Sequence, residues 1–394
     1  MNPLRVILVM IEPPLPFGHA IGRWYYVLLR ELVDRGHRVT AFAACSKPEE
    51  IPAAQTLFPA PTYDLRLYPF PPRGRGLRSK LETVVRPYSY MFSGPLMADL
   101  ERELAAGFDV LHLDGIWTGW AGRRHPGRAL LNVHSLYRVD LAAEPPTSMI
   151  EALQRRLLYA AERAQLRRYP WVTVLSDRLA DEVRGLIPGK EVGVCPLGLD
   201  PSLYQYLPDD RRPDDPVVSM IGSMGWGPSR SAAVRLITRL WPAIRDRVPS
   251  ARVQVVGWGA RSALADYLGE PGVMVEEDVP DTRPYFERTA VLLYAPERGS
   301  GMKVKVLEAL GYGVPVVTTP EGVEGLPAVD GVHAGVADDD AGLVDRTVRL
   351  LSDPAARDRQ RARGRELLEA HCGPKPIVDR IEHLYARILA ASGR

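Results

Sequence analysis

The sequence predicts an α/β protein built from two doubly wound domains, each a parallel sheet with helices on both faces. Short β-branched runs alternate with helical patterns in the first half of the chain. The alternation resumes in the second half, after a polar, proline-rich stretch at 208–216. Strands that alternate with helices form parallel βαβ units. The length of 394 residues agrees with two hydrophobic cores rather than one.

The first domain is predicted to span residues 1–207. Its first strand is followed by an amphipathic helix at 20–35 and then by further strand-like runs. In chain order the strand runs are LRVILVMI, HRVTAFAA, DVLHLDG, ALLNVHS and WVTVLS.

Residues 208–216 (PDDRRPDDP) are predicted to form a linker, and 217–375 the second domain. The strand runs of this domain are VVSMIG, ARVQVVG, VMVEE, AVLLYA and VPVVTT, with helices at about 229–246 and from about Met302. The last segment, 376–394, is predicted to be a helix that packs on its own domain or crosses back to the first. Ligands bind open parallel sheets at the carboxyl ends of the strands, so a cleft between two facing sheets is the expected site.

Composition excludes several classes of protein. A hydrophobic content of 46% and a charged content of 25% are typical of globular proteins, and a net charge of +2 with no basic domain argues against a nucleic-acid partner. The cysteines at 45, 195 and 372 are far apart, which indicates a reducing compartment. The early apolar run VILVMI is short and is followed by Glu12, so it indicates a buried strand rather than a signal peptide. We expect a cytoplasmic protein with at most peripheral membrane contact.

The segment GSGMKVKVLEALGYGVPVV (299–317) carries the strongest chemical signal. Its glycines permit a loop whose N–H groups point the same way, and the following helix start adds free donors, a combination that binds phosphates. Lys303 and Lys305 place positive charge in the first turn, where the helix dipole disfavours it, so a negative partner is expected. Glu308 lies about six residues from the expected helix start near Met302, which is roughly 9 Å at ~1.5 Å per residue. This distance suits a ribose attached to a diphosphate bound at the helix start.

This segment resembles the donor-binding signature of the retaining GT-B glycosyltransferases of family four. The stretches VGVCPLGLD, VVSMIGSMGWGPSRSA, ARVQVVGWG, LLNVHSLYR and VTVLSDRL resemble other parts of the same family, so the likeness covers most of the chain. It implies the GT-B fold, with two Rossmann-like domains facing across a cleft, and a nucleotide-diphospho-sugar as co-substrate without a cofactor. The implied donor-binding residues are Gly222, Ser223, Gly299, Ser300, Gly301, Met302, Lys303, Lys305, Glu308 and Thr319.

The chain departs from the commonest form of this signature. That form has two glutamates with seven residues between them, and counting back from Glu308 places Ser300 at the first position. Ser223 and Pro228 stand where many members carry a phosphate-binding Arg and Lys. The pair Lys303 and Lys305 could take over that charge, and a subgroup with Gly-Ser-Gly is the nearer relative.

The first domain supplies the remaining candidates. Gly18, in the loop after the first strand, allows close approach to a ligand, and His19 beside it resembles the general base of inverting GT-B enzymes. His134 matches the histidine of family four that lies near the donor sugar, and its implied role is to donate to a sugar hydroxyl or a nearby carbonyl. With Lys303, these two histidines are the catalytic candidates. The residues that could shape the acceptor pocket are Asp114, Trp117 and Arg138.

Two further signals are given structural interpretations. Asp338, Asp339 and Asp340 formally match the metal-binding Asp-x-Asp of other glycosyltransferases, but they precede a helical run and are expected to cap it. No other ligand spacing is present, so no metal is expected. The basic stretch RGRGLRSK (73–80) is expected to be a solvated loop.

The expected function is metal-independent transfer of a sugar from a nucleotide-diphospho-sugar to an acceptor hydroxyl, with retention of anomeric configuration. The acceptor is a small molecule, a glycan or a lipid-linked sugar. Three alternatives remain open: an inverting transferase with His19 as base, a nucleotide-sugar epimerase of the same fold, and a catalytically silent sugar-nucleotide-binding partner.

Overall fold

The computed structural model describes two compact units. Unit 1 comprises Met1–Leu199 with Pro374–Arg394, and unit 2 comprises Asp200–Gly373. The description covers the whole chain except residues 1, 73, 75, 77–81, 93, 143–144, 208–214, 298 and 394.

Unit 1 is a seven-stranded parallel sheet in the order β3-β2-β1-β4-β5-β6-β7. Its strands are β1 (Arg5–Met10), β2 (Arg38–Cys45), β3 (Asp64–Pro69), β4 (Val110–Asp114), β5 (Ala129–Val133), β6 (Trp171–Val174) and β7 (Val192–Val194). The chain order reverses between β1 and β4, so their carboxyl ends flank the crevice where such sheets bind ligands. Every residue of β4 and β5 is buried, as expected for strands covered on both faces.

Helices cover the sheet of unit 1. They are α1 (Ala20–Asp34), α2 (Ile51–Leu57), α3 (Pro95–Ala105), α4 (Tyr137–Asp140), α5 (Met149–Arg168) and α6 (Asp177–Leu186). Helix α1 buries a continuous face that includes Trp24 and Tyr25, and α5 and α6 begin at serine caps, Ser148 and Ser176.

Unit 2 is a six-stranded parallel sheet in the order β10-β9-β8-β11-β12-β13. Its strands are β8 (Val217–Ile221), β9 (Arg252–Gly257), β10 (Val273–Glu277), β11 (Val291–Tyr294), β12 (Val316–Thr318) and β13 (Gly335–Val336). The helices are α7 (Gly227–Arg235), α8 (Trp241–Arg247), α9 (Ala260–Ala263), α10 (Arg283–Glu287), α11 (Val304–Gly311), α12 (Asp340–Ser352) and α13 (Pro354–Cys372), with a π-helical turn at Leu236–Leu240. Here the order reverses between β8 and β11, whose ends carry Gly222 and Ala295.

The last helix, α14 (Pro374–Ala391), packs on the sheet of unit 1. Its Glu382 and Asp379 pair with Arg35 at 2.6 Å and 2.7 Å, and the hydroxyl of Tyr385 lies 2.7 Å from Nδ1 of His112. The chain passes into unit 2 at Asp200, ahead of the predicted boundary at 207, because Tyr204 packs on Tyr312 with ring centroids 5.1 Å apart. Most of the predicted linker lies outside the described residues.

The predicted α/β fold with two doubly wound sheets is confirmed. Strands β3, β7 and β13 were not predicted. The stretch VGVCPLGLD, which resembles the family's entry into the second domain, holds β7, and β7 pairs with β6 of unit 1. All three cysteines are buried free thiols. Within the described part of the chain, no helix combines the length and apolar character that crossing a bilayer requires.

Candidate functional site

In unit 2, a loop and two helix starts lie together at the carboxyl ends of β8 and β11. Gly299 and Gly301 have φ of 148° and 73°, values that favour glycine. A side chain at Gly299 would lie 3.3 Å from Pro228, so the loop packs against the first turn of α7. Neither α7 nor α11 has a side-chain cap, and the N–H groups of Gly227, Val304 and Lys305 at the two helix starts therefore favour an anion here.

Lys305 places a positive charge between the two helix starts. Its Nζ donates to the hydroxyl of Ser229 at 2.5 Å and lies 4.4 Å from the ring centre of Tyr294 and 5.2 Å from that of Trp226. Burial lowers the pKa of Lys305 to about 7; the neighbouring Lys303 charge adds to this effect, and Glu308 opposes it. An ammonium that the protein desolvates in this way gains more from a phosphate than an exposed one does.

Lys303 has a different environment from Lys305. Its side chain is fully buried, lies 3.5 Å from the carboxylate of Glu324, and donates to the carbonyls of Ser300 and Gly301. Glu324 also accepts from the N–H of Gly301 at 3.3 Å. Lys303 and Glu324 therefore brace the glycine loop from within.

Two glycines at the ends of β8 and β9 leave the space that the Lys305 side chain occupies. A Cβ at Gly222, where φ is 154°, would lie 2.7 Å from Cε of Lys305. A Cβ at Gly257, at the end of β9, would lie 2.0 Å from the carbonyl oxygen of Gly222. Only glycine fits both positions.

The other predicted donor-binding residues surround this loop at different depths. Ser300, Met302 and Thr319 are buried, and the hydroxyl of Thr319 donates to the carbonyl of Pro296 at 2.7 Å. Ser223 is exposed, and Glu308 is half-buried at the fifth position of α11. A cavity of ≈ 240 Å³ opens at the ends of β11 and β12; it is lined by Arg235, Pro296, Glu297, Thr319, Pro320, Glu321 and Asp338.

In unit 1, the end of β4 carries a buried carboxylate that orients His134. Asp114 is fully buried and accepts from Nε1 of Trp24 at 2.9 Å and from the amide of Asn132 at 3.1 Å. Its Oδ1 lies 2.5 Å from Nε2 of His134, and its Oδ2 lies 3.2 Å from Nε2 of His112. Burial opposes ionisation, but the two histidines outweigh it and hold the pKa of Asp114 well below its usual range. Asp114 was grouped with the acceptor-facing residues; its burial restricts it to acting through His134.

His19 and Gly18 lie in the exposed loop before α1. Gly18 has φ of 78°, and His19 is the N-cap of α1, with no hydrogen bond from its side chain to the helix. Glu12, in the same region, accepts from the hydroxyl of Ser46 at 2.7 Å. Burial raises the pKa of Glu12, although the positive charge of His19 opposes the shift.

Arg138 and Trp117, the remaining predicted acceptor residues, differ in exposure. Arg138 is exposed on α4, whereas Trp117 is buried and stacks on Tyr88 with ring centroids 5.3 Å apart. Tyr137 completes an aromatic cluster with these two rings. Trp117 therefore contributes packing rather than an exposed contact surface.

Several residues of the site were not predicted from the sequence. Glu324 follows Thr319 in an irregular segment, and Trp226, Ser229 and Tyr294 have no spacing that links them to Lys305. Trp226, Ser229 and Tyr294 are recognised as part of the site only because the structure shows Lys305 buried against them. Of the three consecutive aspartates, Asp339 caps α12 as predicted, since it accepts from the N–H of Gly342 at 2.7 Å, whereas Asp340 accepts from Arg235 and Arg239. Among the described residues, no group of three His, Cys, Asp or Glu side chains could hold a metal ion.

Two Rossmann-like parallel sheets, each with a switch point in its strand order, are the architecture of the GT-B glycosyltransferases. The model for "Glycosyltransferase Family 4" matches residues 21–203, and that for "Glycosyl transferases group 1" matches residues 215–353. The two models together cover most of both units, and the chain is therefore a transferase enzyme with the GT-B fold.

Two curated relatives share part or most of the chain. It is 30% identical over 216 residues to the 2-deoxystreptamine N-acetyl-D-glucosaminyltransferase of Streptomyces fradiae, a match covering 46% of this chain and 47% of that protein. It is 26% identical over 327 residues to the 2-deoxystreptamine glucosyltransferase of Streptomyces kanamyceticus, covering 74% of this chain and 80% of that protein. The first match thus spans about half the length of the relative.

Solved structures support the fold over nearly the full length. Sucrose-phosphate synthase from Thermosynechococcus elongatus superposes with a TM-score of 0.72 at 18% identity, covering 98% of this chain and all of the other. HepE from Anabaena, solved in complex with UDP and glucose, gives a TM-score of 0.63 at 14% identity, covering 97% of this chain and 100% of that one. At these identities the likeness concerns the fold alone.

Proposed function

We propose that the chain transfers a sugar from a nucleoside-diphosphate sugar to an acceptor hydroxyl, with retention of anomeric configuration and without a metal. The observation that carries this proposal is the cluster in unit 2 formed by loop 299–301, the starts of α7 and α11, and Lys305. It supplies oriented N–H donors and a desolvated cation, which together stabilise the negative charge of a departing diphosphate. Cytoplasmic location remains part of the proposal, since three buried thiols suit a reducing compartment.

In the proposed donor complex, the side chain of Lys305 and the N–H groups at the start of α11 hold the diphosphate, and loop 299–301 lies beside it. Glu308 accepts from the ribose hydroxyls, because it lies one turn into α11 on the helix that carries Lys305. Lys303 contributes by bracing the loop with Glu324 rather than by touching phosphate. The complexes of HepE with UDP favour uridine as the nucleoside of the donor.

The proposed acceptor is a small polyhydroxylated molecule of the aminocyclitol class. The two curated relatives are named as transferases that act on 2-deoxystreptamine, an acceptor of this kind. Its hydroxyl attacks the anomeric carbon from the face of the leaving group, and the departing diphosphate oxygen takes the proton. The bond from the anomeric carbon to that oxygen breaks as the new glycosidic bond forms.

His134 is proposed to position the donor sugar. Asp114 engages its Nε2, which leaves Nδ1 as the ring nitrogen that can bind a sugar hydroxyl. When Nε2 carries the proton that Asp114 accepts, Nδ1 of the neutral ring can accept from a sugar hydroxyl.

An inverting mechanism with His19 as general base is the second candidate. The observation in its favour is that His19 is exposed, has no helix-capping hydrogen bond, and lies near the Glu12 carboxylate. Under this mechanism His19→Ala abolishes transfer, whereas under the retaining mechanism it costs much less. The anomeric configuration of the product, measured by NMR, separates the two independently.

The function is tested first with a panel of nucleotide sugars in a melting assay. A donor at about 1,000 times its Kd stabilises the fold by roughly 4 kcal/mol. Lys305→Met and Glu308→Ala are expected to lose this shift, while Arg359→Met, an exposed arginine on α13, keeps it. Release of nucleoside diphosphate must then depend on an aminocyclitol acceptor. Isomerised donor without an acceptor indicates an epimerase, and binding without turnover on any acceptor indicates a silent partner.

A further inference from the structure

Helix α5 of unit 1 exposes three large apolar side chains at its first turn. Met149, Ile150 and Leu153 are 90%, 72% and 58% exposed. Isolated exposed apolar residues are common, but three neighbours at one helix end form a patch that needs an explanation.

The rest of the same helix face is basic. Positions 149, 153, 156, 160, 163 and 167 follow each other at steps of three and four, so they share one side of the helix. Arg156, Arg163 and Arg167 lie exposed along that stripe. The exposed side of α5 thus passes from an apolar end to an arginine-rich end.

The two carboxylates of α5 do not neutralise these arginines. Glu151 pairs with Arg155 and accepts from the N–H of Thr147 at 2.8 Å. Glu162 is buried and accepts from the N–H groups of Tyr137 and Arg138 at 2.7 Å and 3.3 Å. Among the residues that the structure describes, no carboxylate forms an ion pair with Arg156, Arg163 or Arg167.

A shallow depression lies beside the basic half of the helix. Its volume is ≈ 580 Å³, and it is lined by Ala160, Arg163, Ala164, Arg167 and Arg168. The small alanine side chains leave the guanidinium groups accessible. One guanidinium group can bind two phosphate oxygens at once through parallel hydrogen bonds.

We propose that the α5 face docks on an anionic phospholipid membrane, with Met149, Ile150 and Leu153 inserted among the lipids and Arg156, Arg163 and Arg167 on the headgroup phosphates. Charge complementarity selects this occupant: apolar insertion and phosphate contact along one helix are what an anionic bilayer surface accepts. A second copy of the chain would bring the same positive stripe and be repelled. Nucleic acid would leave the three apolar side chains without a partner. This surface is independent of the donor site, so the proposal goes beyond the proposed function and does not depend on it.

The test is sedimentation of the full chain with vesicles of phosphatidylcholine alone or with 30% phosphatidylglycerol, about that fraction being enough to give a negative surface potential. We expect binding only to the anionic vesicles, weakening as salt rises from ~0.05 M to ~0.3 M because the surface charges are screened. Arg163→Glu with Arg167→Glu should lower partitioning at least roughly tenfold, given the contribution of each basic residue near such a surface. Met149→Ser with Leu153→Ser should lower partitioning at every salt concentration, since insertion is not electrostatic.

Matched control variants carry charge reversals and apolar-to-serine changes of the same kind at exposed positions outside α5. Arg349→Glu with Arg359→Glu, exposed on α12 and α13, and Val329→Ser with Val332→Ser should bind as the unsubstituted protein does. Thermal melting verifies that every variant is folded. Failure of the unsubstituted protein to bind anionic vesicles, or equal binding by the α5 variants, overturns the proposal. A dimer in solution that the Met149→Ser and Leu153→Ser changes dissociate also overturns it, in favour of a second copy.

Discussion

The Oδ1 atom of Asp114 lies 2.5 Å from Nε2 of His134, and the aspartate itself is fully buried. A buried carboxylate is stable only when donors surround it, and here Trp24, Asn132 and His134 do so, with His112 a further 3.2 Å neighbour. The carboxylate thus fixes the orientation of a partly exposed histidine without being accessible to any ligand.

Replacing Asp114 by Asn tests whether this orientation matters for transfer. A charge-assisted hydrogen bond contributes roughly 1.5–3 kcal/mol, so we expect turnover to fall between about tenfold and a hundredfold. Donor affinity should change little, because the proposed diphosphate contacts all come from residues of unit 2. Tyr385→Phe, which removes a hydroxyl 2.7 Å from His112 and leaves the carboxylate intact, is the control with a smaller expected effect. Unchanged turnover in Asp114→Asn would remove His134 from the mechanism.

Lys305 predicts a specific dependence of stability on pH. Its pKa is lowered to about 7 in the folded protein, while the unfolded value is near ~10.4. Between these values the unfolded chain binds more protons, so the contribution of Lys305 to the free energy of unfolding rises with pH from about 7 to about 10. Denaturant titrations at several pH values should show this rise in the unsubstituted protein and its loss in Lys305→Met. A parallel pH profile in both proteins would contradict the buried environment of Lys305.

Binding of a nucleoside diphosphate should take up a proton at Lys305. The phosphate charge favours the ammonium form, which is only partly populated in the free protein above pH 7 because the pKa is about 7. Calorimetric titration of UDP at pH 8 in buffers of different ionisation enthalpy measures this uptake directly. Lys305→Arg, always charged, should bind without it. Equal proton uptake in that variant would place the titrating group elsewhere.

The pair Lys303 and Glu324 should act as a structural brace. Both side chains are almost completely buried and 3.5 Å apart, so Lys303→Met removes the cation that faces a buried carboxylate, at a cost of about 3–5 kcal/mol. Adding Glu324→Gln should recover most of that loss, as measured by denaturant unfolding. If Lys303 instead contacted phosphate directly, the double variant would regain stability but not donor affinity.

Two glycines at the strand ends should respond differently to alanine. Gly257→Ala places a Cβ 2.0 Å from a backbone oxygen and is expected to destabilise unit 2 severely, lowering its melting temperature. Gly222→Ala is also strained at its φ of 154°, but its Cβ meets only the flexible end of Lys305 at 2.7 Å, so it should destabilise less than Gly257→Ala and lower donor affinity as the lysine moves. If Gly222→Ala lowers donor affinity and melting temperature equally, the space at Gly222 is needed by the fold rather than by Lys305.

Strand and helix placement could largely be predicted from local pattern. The β-branched runs that became β1, β2, β8 and β9 lie within one or two residues of the observed strands. Short edge strands such as β13, with two residues, lack enough residues for a period to be recognised. The start of α11 at Val304 rather than near Met302 follows from the bracing of the loop by Lys303, a contact with Glu324 that lies 21 residues away in sequence.

The sequence by itself determined the α/β class and the two sheets, because hydrophobic period is a local property of the chain. That segment 299–317 binds an anion stays a prediction. The tertiary structure decided how two lysines separated by one residue differ, with Lys303 paired to Glu324 and Lys305 desolvated among Ser229, Tyr294 and Trp226. It likewise decided that Asp114 is buried behind His134. Burial and charge pairing depend on residues distant in sequence, and these set the chemistry of each ionisable group.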